Sequence, residues 1–213
     1  LLILATVLAN FLLPGLGLPH VTLWRWPAGL ALFAIALPVV ANRLHLDHLV
    51  DDWIYARRII HQGDRAVEAR LAVLAADLAQ NSEHEIVIVG HSFGAVHAVS
   101  LINRIRALAP DGPAIRFASV GSSILKIALH NGAHAFRSSL ATLAQSKNII
   151  WRDIYAVNDY MNFCDADPVR TLKLPGTPSQ TLKVQFRGMV SPEFYKTMEL
   201  NYFRLHSQFI CAN

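Results

Sequence analysis

Hydrophobic residues follow two different patterns along the chain, and the change between them lies near residue 42. The first 42 residues carry one charged side chain, Arg25, and every other charged residue lies beyond them. Two apolar runs, 1–24 and 26–42, flank this arginine. Prolines and glycines interrupt the first run, so the sequence predicts helices over Leu1–Leu13 and Pro27–Ala41.

These two apolar helices predict a membrane-embedded hairpin over residues 1–42. A helix that spans a bilayer needs about 20 apolar residues, so each helix alone is marginal and the pair is favoured. Trp24 and Trp26 then occupy positions typical of interfacial aromatic residues. Arginines are more frequent after the hairpin than inside it, which favours a cytoplasmic location for the following domain. A buried core helix or a lid over the substrate is the alternative.

Residues 43–213 alternate apolar runs of strand length with amphipathic runs of helix length. The alternation predicts an α/β domain with a mainly parallel sheet flanked by helices. The predicted strands are Glu85–Val89, Ala114–Val120, Ile149–Val157 and Thr181–Phe186. The predicted helices are two within Leu44–Gln80, then Ala95–Leu108, Ile124–Ser146 with a break at Asn131 and Gly132, and Pro192–Phe203. The β-branched run Glu85–Val89 is typical of a strand buried on both faces.

Composition narrows the function classes. Hydrophobic residues make up 53% of the chain and charged residues 16%, which excludes a disordered protein. The net charge of +4 is scattered and forms no basic run, so no nucleic-acid partner is expected. The two cysteines, Cys164 and Cys211, match no metal-binding spacing and predict free thiols.

The strongest chemical signal is the pentapeptide Gly90-His91-Ser92-Phe93-Gly94, which matches G-x-S-x-G. A predicted strand precedes it and a predicted helix follows it, which is the context of a nucleophile elbow. Ser92 is therefore the predicted nucleophile, on a strained turn where glycines two residues away on either side keep Cβ atoms out. The Phe93 amide is the predicted oxyanion donor. His91 is expected to line or support the site.

The acid and the base follow from chain order, which is Ser, then acid, then His in this type of site. Asp159 is nearest the end of the third predicted strand and is the preferred acid. Asp167, before a proline, is the alternative acid and otherwise a turn or helix cap, while Asp165 is the weakest candidate. His206 is the predicted base because it is the only histidine that follows these acids.

Two other histidine pairs have metal-ligand residue types but do not predict a metal. His45 and His48 directly follow an apolar run, where a polar helix start is expected. His130 and His134 have Gly132 between them and no accompanying glutamate. No metal and no cofactor is therefore expected.

With these residues in place, the chain resembles the α/β-hydrolase superfamily. Three segments look like those of an uncharacterised bacterial group of membrane-associated, serine-hydrolase-like proteins: Phe117–Ser123, Trp151–Val169 and Arg204–Phe209. The order of elements is also similar to that of class 3 lipases. The resemblance covers roughly Glu85 to Asn213. It implies Ser92 as nucleophile, Asp159 as acid and His206 as base, and with the hairpin it implies a bacterial inner membrane.

The chain departs from that family ahead of the elbow. Hydrolases of this fold draw a second oxyanion donor from a loop after an earlier strand, and residues 1–91 contain no such predicted strand and loop. The N-terminal strands are therefore expected to be missing from the printed sequence, which begins with Leu1. Because one oxyanion donor contributes about 100- to 1000-fold in rate, weak or absent activity is expected of this chain.

The resulting hypothesis is a serine hydrolase in two parts, an apolar hairpin (1–42) and a catalytic domain (43–213). It would cleave an ester or thioester of an apolar substrate at a lipid membrane through an acyl-enzyme. A non-catalytic membrane scaffold that keeps the fold is the rival, and an acyltransferase that uses the same three residues is a variant. The sequence does not distinguish hydrolysis from transfer.

Overall fold

The computed structural model describes residues 21–43, 45–80, 84–199 and 201–211. The chain divides into two compact units, Leu1–Trp53 and Ile54–Asn213. The division falls within a helix, whereas the change in composition lies near residue 42.

Two helices begin the described chain. Helix α1 spans Val21–Arg43 and α2 spans Leu46–His61, so that α2 runs from the first unit into the second. The prediction that Pro27 begins a helix is wrong, because Pro27 and Pro38 both lie inside α1. Trp24 and Trp26 are therefore helical residues. The other predicted helix of the hairpin, Leu1–Leu13, lies outside the described residues.

Helix α1 exposes apolar side chains, with Ile35 70% exposed and Val39 63% exposed. Within the described part of the chain, no single helix is long and apolar enough to cross a membrane. One bent pair, Pro27–Asn42 with Leu46–His61, meets that requirement by length and composition only.

The second unit is an α/β domain, as the alternating pattern predicts. Its strands are β1 (Glu85–His91), β2 (Ala114–Val120), β3 (Ile149–Ala156) and β4 (Gln180–Val184). They form one sheet in the order β1-β2-β3-β4, and all three neighbouring pairs are parallel. Its described helices after α2 are α3 (Arg65–Ala79), α4 (Phe93–Leu108), α5 (Ile124–Ala128), α6 (His134–Gln145), α7 (Pro168–Thr171), α8 (Pro192–Met198) and α9 (Tyr202–Ser207).

Two clusters of buried hydrophobic residues form the core, and the larger one includes side chains of this sheet. Alternate residues of β1 to β3 point into it, and they pack against α3, α4 and α6. These inward side chains include Ile86, Ile88, Ile115, Phe117 and Trp151. The hydrophobic effect of burying such side chains is the main force that holds the helices on the sheet.

The opposite face of β1 differs from the sequence prediction. Val87 and Val89 are 65% and 64% exposed, so the prediction that this strand is buried on both faces is wrong. β1 lies at the edge of the sheet, and its burial alternates strictly along the strand. A β-branched run has the same composition whether one face or two is covered, which is why the sequence misleads here.

The C-terminal elements also differ in their bounds. The predicted strand Thr181–Phe186 ends at Val184, and Phe186 begins a short 3-10 turn. The predicted helix Pro192–Phe203 is two helices, α8 and α9. The Asn201 side chain caps α9 by accepting a hydrogen bond from the Arg204 N–H at 3.0 Å, which stabilises the new helix start. As a result, His206 lies inside a helix.

Candidate active site

Ser92 lies on the turn between β1 and α4, in a backbone conformation that L residues rarely adopt. Its φ is 53° and its ψ is −122°. Such a conformation costs of order 1–3 kcal/mol and persists only where the surroundings enforce it. Here the Ser92 N–H donates to the Val120 carbonyl at 3.1 Å, and the Ser92 carbonyl accepts from Ala95 N–H at 3.2 Å. These bonds fix the turn between two strand ends and a helix start.

The two glycines of the elbow have different roles. A Cβ on Gly90 would lie 2.6 Å from the Ala95 Cα, a backbone atom that cannot move aside, so only glycine fits there. A Cβ on Gly94 would meet nothing within 4 Å. The prediction that both glycines keep Cβ atoms out of the turn therefore holds for Gly90 and is wrong for Gly94. The space beside Gly94 is therefore open.

Phe93 is the first residue of α4, so its N–H has no acceptor within the helix. That position also lies at the positive end of the helix dipole, next to the nucleophile candidate. The Phe93 and Tyr55 rings meet edge to face, with their centres 5.2 Å apart. The Lys126 ammonium lies 4.9 Å from the centre of the Phe93 ring. The Phe93 side chain thus contacts Tyr55 and Lys126, while its amide lies at the helix start.

Asp159 lies in the turn that follows β3 and is 1% exposed. Its Oδ1 accepts from the Met161 N–H at 2.9 Å. Asn162 ties the turn together, because its Oδ1 accepts from the Ala156 N–H at 3.0 Å and its Nδ2 donates to the Asp159 carbonyl at 3.1 Å. The carboxylate therefore has a fixed position at the carboxyl end of a central strand.

The structure brings His206 against Asp159, across 47 residues of chain. The Nδ1 of His206 lies 2.6 Å from Oδ2 of Asp159, and the side chains are 6% and 0% exposed. Since the carboxylate accepts, Nδ1 is the donor, and in the neutral form of the imidazole Nε2 carries the lone pair. Among the described residues, Nε2 of His206 is buried without a hydrogen-bond partner. A buried acceptor left unpaired is costly, and it is the atom that a general base uses.

His91 contacts both the backbone and the ring of His206. Its Nε2–H donates to the His206 carbonyl at 3.1 Å, and the two ring centres are 4.6 Å apart. Burial lowers the pKa of His91, and the charge of a protonated His206 would lower it too, while the hydrogen bond to the His206 carbonyl and the charge of Asp159 oppose the shift. His91 therefore stays neutral near pH 7 and adds no second positive charge beside the base.

Gly121 leaves room for the imidazole of His206 because it has no side chain. A Cβ there would lie 3.0 Å from Cε1 of His206 and 2.6 Å from Cε2 of Phe209. Its φ of +50° also belongs to the left-handed region that favours glycine. The loop that follows β2 therefore lies directly against His206.

The Ser92 hydroxyl pairs with another hydroxyl in this structure, not with the imidazole. Its Oγ lies 3.4 Å from Oγ of Ser123, in the loop that follows β2. The nucleophile and base candidates thus both lie near the carboxyl ends of the strands, but no hydrogen bond joins the Ser92 hydroxyl to the His206 imidazole. In structures without substrate such bonds are often long and tighten only in the reacting complex.

The alternative acids lie in other settings. Asp167 begins α7, and its carboxylate accepts from the Arg170 N–H at 2.6 Å and from the Ser179 N–H at 2.7 Å. The helix-cap interpretation thus describes its position. Asp165 is exposed and accepts from the Tyr155 hydroxyl at 2.7 Å. In the part of the chain that the structure describes, Asp159 accepts a hydrogen bond from a histidine, whereas the bonds of Asp167 and Asp165 come from other groups.

A third buried carboxylate, Asp153 on β3, was not predicted as part of any site. It is 5% exposed and accepts from the hydroxyls of Ser119 and Ser122. The Trp151 indole N–H donates to Ser119 Oγ at 2.8 Å, which completes the network. Burial raises the pKa of Asp153 to about 6, the two serine hydroxyls oppose the rise, and the charge of Asp167 adds to it. The sequence signal was a charged residue between two inward-facing aromatics, Trp151 and Tyr155, on a strand with a period of two.

Within the part of the chain that the structure describes, no group of three or more His, Cys, Asp or Glu side chains is arranged to hold a metal ion. Both cysteines are exposed and free. The chain matches no family model, no curated protein and no solved structure.

Proposed function

We propose that this protein is a serine hydrolase of the α/β-hydrolase type, with Ser92 as nucleophile, His206 as general base and Asp159 as the acid that orients it. The observation that carries the proposal is the buried imidazole whose Nδ1 is bound to Asp159 at 2.6 Å and whose Nε2 has no described partner. The strained Ser92 at the neighbouring strand end supports the same assignment.

The reaction follows from these atoms. Ser92 Oγ attacks the carbonyl carbon of the ester while its proton passes to Nε2 of His206, and Asp159 stabilises the imidazolium that forms. The Phe93 N–H donates to the oxyanion. When the tetrahedral intermediate breaks down, Nε2 gives the proton to the leaving alcohol or thiol and an acyl-Ser92 remains. Water then attacks this ester with His206 again as base, which releases the acid and restores Ser92.

The substrate class that we propose is an ester or thioester with an apolar acyl chain, presented at a lipid surface. The exposed apolar residues of α1, among them Leu30, Ile35 and Val39, favour attachment to a membrane. Extraction with alkaline carbonate tests the attachment: the protein is expected in the pellet. Release of the intact chain into the supernatant would remove this part of the proposal and leave the hydrolase assignment in place.

The decisive test is covalent labelling by a fluorophosphonate probe, which requires an activated serine. The full chain in detergent is expected to label at Ser92, measurably but more slowly than a hydrolase with two oxyanion donors, and Ser92→Ala is expected to abolish labelling with an unchanged melting temperature. A folded wild-type protein that fails to label would contradict the proposal and favour the rival, a non-catalytic membrane scaffold. Release of acyl product to water or to an added alcohol then distinguishes hydrolysis from acyl transfer, because both pass through the same acyl-Ser92.

A further inference from the structure

The loop that follows β2 contacts the nucleophile candidate through both its backbone and a side chain. The Ser123 N–H donates to the Ser92 carbonyl at 3.1 Å, and the Ser123 hydroxyl lies 3.4 Å from Ser92 Oγ. Two residues earlier, Gly121 lies against the His206 ring. One short loop therefore adjoins both the nucleophile and the base of the proposed reaction.

The Ser123 hydroxyl is buried and is not used by the helix it precedes. Ser123 is 3% exposed and occupies the N-cap position of α5, where a serine side chain ordinarily accepts from the backbone. Here its side chain makes no cap hydrogen bond. Its hydroxyl is instead directed at the oxygen of Ser92, although 3.4 Å is long for a hydrogen bond between hydroxyls, which is ordinarily about 2.7–2.8 Å.

We propose that Ser123 donates a hydrogen bond to Ser92 Oγ during the attack, and so acts as a further catalytic residue of the hydrolase. This inference rests on the proposed function. Ser92 can turn its proton toward the bare Nε2 of His206 while the Ser123 hydroxyl donates to the oxygen it leaves behind. In that arrangement each hydroxyl has one acceptor, the buried Nε2 is satisfied, and the long contact shortens.

The proton balance of the step is simple. The Ser92 proton moves to His206, the Ser123 proton stays on Ser123, and the negative charge that develops on Ser92 Oγ receives a donor. Hydrogen bonds to a charged oxygen are stronger than those to a neutral one, so the contact stabilises the attacking state more than the resting state. Once Ser92 is acylated, its oxygen is an ester oxygen and a weaker acceptor, so the bond is released.

Ser122 provides a matched control in the same loop. It is buried like its neighbour, but its hydroxyl bonds to Asp153 and not to Ser92. Ser123→Ala removes the proposed donor, Ser123→Thr keeps a hydroxyl at the same position, and Ser122→Ala removes a hydroxyl of equal size one residue away. All three changes are made in the full chain.

The experiment measures the second-order rate of fluorophosphonate labelling at Ser92 together with the melting temperature. Loss of one hydrogen bond to a charged oxygen predicts labelling about tenfold slower in Ser123→Ala, with recovery toward the wild-type rate in Ser123→Thr. Ser122→Ala is expected to label at close to the wild-type rate. Because Ser123 acts on the nucleophile and not on the base, the pH midpoint of labelling stays the same in Ser123→Ala.

Several results would overturn the inference. If the wild type labels and Ser123→Ala labels equally fast or faster, Ser123 has no such role, while the proposed function stands. If Ser122→Ala slows labelling as much as Ser123→Ala, the loop acts only by packing. If Ser123→Ala does not fold, a wild-type rate in Ser123→Thr supports the inference and a tenfold loss there opposes it. Failure of the folded wild type to label would remove both the function and the inference.

Discussion

Two buried carboxylates, six residues apart, belong to regions with opposite properties. At the end of the sheet, Asp159 is bound to an imidazole that keeps one buried nitrogen without a described partner. Inside the sheet, Asp153 accepts from Ser119 and Ser122, and the serines and the indole around it complete one another's hydrogen bonds. Both regions cost desolvation energy. In the proposed function, only the first region contains a buried atom that takes part in the reaction, which is Nε2 of His206.

If Asp159 is the acid of the proposed reaction, burial and an altered pKa do not by themselves mark a reactive group. Asp153 has the clearly raised pKa, yet the groups that hydrogen-bond to it are the neutral hydroxyls of Ser119 and Ser122. The network connects the two central strands with the loop that follows β2, since Ser119 of β2 pairs in register with Asp153 of β3, and Ser122 lies in that loop beside Ser92. We interpret the Asp153 network as the support on which that loop rests.

The largest expected difference between the two regions is in activity. Asp159→Asn is expected to slow labelling and turnover by about 10⁴-fold, because an asparagine can donate to Nδ1 and so place the imidazole proton on Nε2, where it blocks the base. Asp153→Asn, measured in parallel, is expected to stay within about threefold of the wild type. Equal losses in the two folded variants would end the distinction between a reactive and a supporting carboxylate.

A smaller difference is expected in the pH dependence of stability. The pKa of Asp153 rises from 3.8 to about 6 on folding, so between these values the folded protein holds a proton that the unfolded chain has lost. The contribution of Asp153 to the free energy of unfolding therefore falls as the pH rises from about 4 to about 6, by roughly 3 kcal/mol, and stays reduced above that range.

Denaturant unfolding at a series of pH values between 4 and 7 measures this slope. Asp153→Asn has no titrating group at that position, so its slope is expected to be flatter and its stability at pH 7 to approach its value at pH 4. An unchanged slope in this variant would show that another group titrates, and the assignment of the supporting carboxylate would fail.

Part of this arrangement was predictable from the sequence because it depends on local rules. In a nucleophile elbow, the G-x-S-x-G turn directly follows a strand and directly precedes a helix. This order along the chain predicts Ser92 on a turn between a strand and a helix, and the structure has it between β1 and α4. Chain order selected His206, since no other histidine follows the acid candidates. The parallel sheet followed from the alternation of strands and helices.

The rest depends on contacts between distant residues, which no local pattern records. Asp153 reads as an ordinary polar position until the register places Ser119 beside it. Gly94 matches the motif as well as Gly90 does, yet only Gly90 has a backbone atom of Ala95 where its Cβ would be. The exposed face of β1 likewise has the composition of a covered one.

The smallest expected effect concerns Asp167. This residue is relevant to both regions, because it is the alternative to Asp159 as acid and its charge acts on the pKa of Asp153. Asp167→Asn removes a charged cap from α7 and is expected to lower the free energy of unfolding by about 1 kcal/mol with no change in labelling rate. The same change removes a negative charge that helps to raise the pKa of Asp153. The midpoint of the pH-dependent stability should therefore move to lower pH, by a small amount, since this charge is the weakest of the causes. A loss of labelling in this variant would transfer the acid role from Asp159 to Asp167. A shifted midpoint with intact labelling would place Asp167 with the supporting network of Asp153.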